Sequence, residues 1–114
     1  MSRSESAKAK GSRFERQVAA LLRKTGLCVI RSAGSEGKAD LVAIGPDASP
    51  LLFIQCKAHV TFHAAEWNAL LHEARTYGAE PILARLKDGV IEIYRLLSEK
   101  DKVPGHLPWE AVTI

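Results

Sequence analysis

Three polar residues break into apolar stretches of this chain. Asp40 stands near the start of residues 39–44 (ADLVAI), and Gln55 and Lys57 close residues 51–57 (LLFIQCK). Residues two apart in a strand share a face, so Gln55 and Lys57 point the same way as Phe53, while Leu52, Ile54 and Cys56 point the other way. If the two stretches pair, Asp40 comes to lie beside Gln55 and Lys57. A carboxylate, an amide oxygen and an ammonium would then converge at one end of a sheet, and Glu15 could reach them from the flank of a preceding helix. Such a group suits phosphodiester hydrolysis. Mg²⁺ takes oxygen ligands and needs only one or two carboxylates, with water and phosphate completing its shell. A cation of this kind activates water and neutralises phosphate charge, and a lysine stabilises charge that develops on the oxygens. The same residues also suit a structural Asp–Lys pair at a strand end.

Positioning them requires a helix before the strands. Ser12 reads as an N-cap with Glu15 as its capping-box partner. The helix runs to about Thr25, with Phe14, Val18, Leu21 and Leu22 on its apolar side, and Gly26 stops it. Residues 27–32 (LCVIRS), 39–44 and 51–57 read as strands, the last two forming a hairpin across 45–50 (GPDASP). A second helix, about 64–77, presents Ala64, Trp67, Leu70, Leu71 and Ala74 on one face. Residues 81–86 and 90–97 read as two more strands, turned at Asp88-Gly89. Residues 98–114 look irregular. The order αβββαββ predicts an α/β fold: a small mixed β-sheet flanked by helices. The domain reading is a flexible basic arm over 1–11 and one domain over 12–114.

The 114 residues carry a formal charge of +3, unevenly spread. Residues 1–31 hold eight Lys/Arg against two acids, a local +6, and the remainder carries −3. That polarity points to a polyanion such as nucleic acid. No apolar run approaches a membrane span, and the polar N-terminus predicts no secretory signal. Cys28 and Cys56, without CxxC spacing, read as reduced and buried in a cytoplasmic setting. His59, His63, His72 and His106 form no HExxH pattern. Trp67 reads as core or interface. An exposed aromatic is one reading of Phe62.

The segments KGSRFERQVAALLRKTGLCVIRSAGSEGKADLVAI and FIQCK, within residues 10–57, resemble the archaeal-type Holliday junction resolvases of the PD-(D/E)xK nuclease superfamily. The resemblance continues more weakly to about residue 86. It implies a restriction-endonuclease-like fold and a homodimer that resolves four-way DNA junctions by paired symmetric nicks. Two-fold symmetry matches the two strands to be cut. It implies Mg²⁺, with Mn²⁺ as a substitute. Residue by residue, Glu15 matches the helix acid, Asp40 the metal-binding aspartate, Lys57 the catalytic lysine and Ser32 a serine near the scissile phosphate. The Cys56 backbone carbonyl would be a further metal ligand. Lys10, Arg13, Arg16, Arg31, Ser35 and Lys38 would meet DNA. Gln55 occupies the place of the family's second glutamate and supplies a neutral oxygen instead of a charge. Three explanations stay open: an active QxK variant, a Glu→Gln inactivated form, or a branched-DNA binder that does not cut. Another PD-(D/E)xK DNA endonuclease is the remaining alternative.

Overall fold

The computed structural model describes residues 6–32, 39–58, 62–103 and 105–113. Helix α1 (Ala7–Lys24) precedes strands β1 (Cys28–Arg31), β2 (Leu41–Ile44) and β3 (Leu51–Lys57). Helix α2 (Ala64–Thr76) then leads to β4 (Glu80–Lys87), β5 (Val90–Leu96) and β6 (Trp109–Ala111). Among the described residues six strands form one sheet in chain order. Of these, only β3 and β4 run parallel, because α2 crosses between them. Every other neighbouring pair is antiparallel. This is the mixed α/β architecture expected from the sequence.

The period-two alternation of the strands assigns each helix its own face. Phe14, Val18, Ala19 and Leu22 of α1 pack on Val29, Leu41, Ala43, Ile54, Ile82 and Ala84. Trp67, Leu70 and Leu71 of α2 pack on the opposite face with Phe62, Leu83 and Leu96. Strand β4 is covered on both sides, so Pro81–Ala84 are buried without a break. In β3, Ile54 faces α1 and Phe53 faces α2, as the alternation predicts. Short links hold the register. At Gly45 an added Cβ would lie 2.3 Å from the Ser49 carbonyl oxygen, so the β2–β3 turn requires glycine there. Asp88 and Gly89 both take positive φ, 51° and 78°, the signature of a tight hairpin turn.

Three expectations are corrected. Helix α1 starts at Ala7, five residues before Ser12. Ser6 is its N-cap, with its hydroxyl accepting the Ala9 N–H at 3.1 Å. Residues 7–11, expected in the arm, are its first turns, because AKAK is favourable helix sequence and a cap lies just ahead of it. The irregular stretch 98–114 contains β6, whose three residues are too few to leave a periodic signal. Its Trp109 stacks on Tyr94 at 4.0 Å. Cys28 is exposed on β1 and Cys56 is half-buried; both are free thiols.

Trp67 fastens α2 to the sheet. It is fully buried, and its indole N–H donates to the Ser98 carbonyl at 2.9 Å. Replacing it with alanine removes the ring and orphans that carbonyl. Trp67→Ala is expected to cost about 3–5 kcal/mol in urea unfolding, whereas the exposed Tyr77→Ala is expected to change stability far less.

Candidate active site

The site is built at one end of three adjacent strands. The β1–β2 register, Arg31 opposite Leu41, continues into a backbone bond from the Ser32 N–H to the Asp40 carbonyl at 2.9 Å. The β2–β3 register, Leu41 opposite Ile54, continues into a bond from the Asp40 N–H to the Ile54 carbonyl at 2.8 Å. Ser32, Asp40 and Gln55 therefore sit side by side. The chain bends at Asp40, and its side chain turns along the sheet end toward β3. There Oδ2 accepts the Cys56 N–H at 2.8 Å. One carboxylate oxygen is thus fixed by a backbone donor that β2, having ended, no longer pairs.

Electrostatics around Asp40 follow from this placement. Burial pushes its pKa above the ordinary carboxylate value, the Cys56 N–H opposes that, and the nearby Glu15 carboxylate adds to the rise. Lys57 then lowers it and Glu66 raises it, so charges from both faces of the sheet act on this carboxyl. Burial, with Asp40 and Glu15 nearby, also pushes the Cys56 thiol far up, which leaves it a neutral thiol.

Glu15 projects from α1 on the other side of the strand end. Its carboxylate pairs with the Arg31 guanidinium at 3.3 Å, and Arg31 also donates to the Ser12 hydroxyl at 3.2 Å. Ser12, expected as a helix cap, instead anchors Arg31. Lys57 runs out on the α2 side with its side chain 18% exposed. Its ammonium donates to the Glu66 carboxylate at 2.5 Å and lies 5.9 Å from the Phe62 ring centre. Phe62 is buried against Trp67, 5.9 Å between ring centres, so the exposed reading of it is corrected. Among the positions expected to meet DNA, Arg13 and Arg16 are exposed on α1 and Lys10 is half-buried, all three at i, i+3 spacing. Ser35 and Lys38 lie outside the described residues, as does His59.

Glu66 is the site residue the sequence reading missed. The signal was present: a right-handed crossover after β3 returns the first turn of its helix to the carboxyl end of that strand, and Glu66 is the acid of that first turn. Arg85 and Arg95 are engaged elsewhere, with Glu92 at 2.7 Å and Glu80 at 2.8 Å. Among the described residues no group of three His, Cys, Asp or Glu side chains converges as a ready-made metal cage. No helix among them is long and apolar enough to cross a membrane.

A family model for the archaeal Holliday junction resolvases matches residues 6–104, which takes in both helices, β1–β5 and every polar residue of the strand end. The chain belongs to that family. It is 39% identical over 79 residues to the crossover junction endodeoxyribonuclease Hjc of Methanocaldococcus jannaschii. That match covers 66% of this chain and 57% of the relative. Its fold is similar to the solved structure of Hjc from Archaeoglobus fulgidus, a Holliday junction resolvase. There the TM-score is 0.63 at 31% identity, over 75% of this chain and 76% of the other.

Within this resolvase-family fold the raised pKa of Asp40 has a consequence for stability. A carboxyl whose pKa is higher folded than unfolded disfavours folding once it ionises, so its contribution falls as pH rises through that window. Asp40→Asn removes the charge and keeps an acceptor for the Cys56 N–H. The metal-free variant is expected to melt above the parent at pH 7, and the gap is expected to close on acidification to pH 4. Thermal melts at both values check this, and a gap that widens in acid contradicts it.

Proposed function

We propose that this chain is a structure-selective endodeoxyribonuclease that resolves four-way DNA junctions by paired symmetric nicks. The observation that carries the reading is the strand-end group of Asp40, Gln55 and Lys57 within a resolvase-family fold. The donor set fits a hard cation of the Mg²⁺ type, which keeps most of its waters and asks for few protein carboxylates. Asp40 would hold it, with the Gln55 amide oxygen and the Cys56 carbonyl. In a strand the C=O of a residue points to the same edge as its N–H, and the Cys56 N–H already points at Asp40. When bound, the cation supplies a nucleophilic water at neutral pH and neutralises the scissile phosphate.

The chain's own residues do the rest. The Cys56 N–H holds one Asp40 oxygen, and among the described residues the other meets no partner. Lys57, its stem half-buried against Phe62, brings an ammonium to the phosphate oxygens as charge grows on them. Ser32, bonded through its backbone to Asp40, sets a hydroxyl at the same strand end. The Glu15–Arg31 pair places a guanidinium beside the site where a phosphate can exchange with the carboxylate. Lys10, Arg13 and Arg16 extend the basic track along α1. Contacts of this kind read backbone and shape rather than base edges, and two chains related by a two-fold would present two such sites to the two strands.

The test incubates the protein with a labelled four-way junction and Mg²⁺ or Mn²⁺, beside Asp40→Asn and Gln55→Glu. Symmetric nicks that are lost in Asp40→Asn are expected, with junction binding retained and weakened steeply by salt. Equal cutting of linear duplex would point to another kind of endonuclease. Junction binding without cutting by either the parent or Gln55→Glu would overturn the nuclease reading. Cutting by Gln55→Glu alone would identify an inactivated form.

A further inference from the structure

We infer that Glu66 is the charge-balancing residue of the Asp40 centre, standing in from α2 for the carboxylate that Gln55 lacks. The inference rests on the proposed function and concerns how its cation is held. Gln55 leaves Asp40 as the one anionic side chain from β2 and β3 at the strand end, with the Lys57 ammonium beside it. Those two charges cancel. A divalent cation entering there would meet an ammonium and no net attraction. On the α1 side the Glu15 carboxylate also acts on Asp40, but it is shared with the Arg31 guanidinium at 3.3 Å.

Glu66 restores the balance. Its carboxylate donates no proton and accepts from the Lys57 ammonium, so the lysine's charge is offset at its own nitrogen. Glu66 also acts on Asp40 in the sense opposite to Lys57. With Glu66 counted, the Asp40–Lys57–Glu66 group carries a net −1, the charge an Asp–Glu–Lys trio would carry if position 55 were glutamate. The placement is rigid: the first turn of α2 carries Glu66, and Trp67, the next residue, is fully buried. A carboxylate in a helix's first turn is also favoured by the helix dipole. The ion pair has a second effect. It aims Lys57 across the strand end and keeps the ammonium from swinging toward Asp40, the oxygen donor that must stay open. Glu66 is thus a positioning residue, acting through Lys57 and through its field.

The experiment measures Mn²⁺ binding to the full chain without DNA, by calorimetry or by loss of the free Mn²⁺ paramagnetic resonance signal. Glu66→Gln is expected to weaken binding by about 10-fold or more, the usual cost of losing such a supporting group. Gln55→Glu placed on the Glu66→Gln background is expected to recover most of that loss, because the charge returns from the other element. Glu66→Asp, which keeps the charge, is expected to fall between parent and Glu66→Gln, and circular dichroism verifies that each variant is folded. Unchanged Mn²⁺ affinity in Glu66→Gln, or no recovery in the double variant, overturns the inference. Asp40→Asn run in parallel separates the two levels. Loss of binding there with none in Glu66→Gln refutes the role of Glu66 alone, whereas no binding by any form refutes the cation centre itself.

Discussion

The hydrogen bond from the Cys56 N–H to Asp40 Oδ2 is where backbone and chemistry meet in this fold. Strand β2 begins at Leu41, and beyond it the edge of β3 would present an unpaired donor at Cys56. A half-buried donor left without an acceptor is costly. The Asp40 carboxylate satisfies it, and in doing so is drawn into the sheet end, where burial raises the cost of its own charge. The same bond therefore completes the sheet and builds tension into the site. A positive charge arriving at the other Asp40 oxygen would relieve that tension.

The surrounding elements are arranged around this point. The registers of β1, β2 and β3 align Ser32, Asp40 and Gln55 in one row. The crossover after β3 fixes where α2 begins, and so where Glu66 stands. The two helices occupy opposite faces, so one acid reaches the centre from each side, Glu15 paired with Arg31 and Glu66 with Lys57. Each acid thus holds a basic residue at the strand end. Among the described residues the site gathers several charged groups and leaves one Asp40 oxygen without a partner.

Much of this was legible in the residues. The alternation of LLFIQCK separated the α1 face from the site face, and the hairpin with ADLVAI placed Asp40 beside Gln55. What local pattern did not carry was long-range. Ser12 looks like a cap because Glu15 follows it at the right spacing, yet Ser6 caps the helix and both residues are turned to Arg31, nineteen and sixteen positions away. Phe62 reads as a loop aromatic until α2 folds over it and buries the ring against Trp67. Glu66 looks like an ordinary first-turn acid, and only the parallel crossover brings it to Lys57. Strand β6 is three residues long and is held by pairing to Tyr94–Leu96, a partner the segment cannot announce.

The central claim is that a divalent cation and the scissile phosphate meet at the Asp40 strand end. Anomalous diffraction from crystals soaked in Mn²⁺ tests it most directly. The account predicts one strong peak per chain beside the uncommitted Asp40 oxygen, at about the 2 Å expected of a small octahedral cation, with the Cys56 N–H still bonded to Oδ2. A peak elsewhere, or none at Asp40 at Mn²⁺ concentrations that support junction cutting, would contradict it.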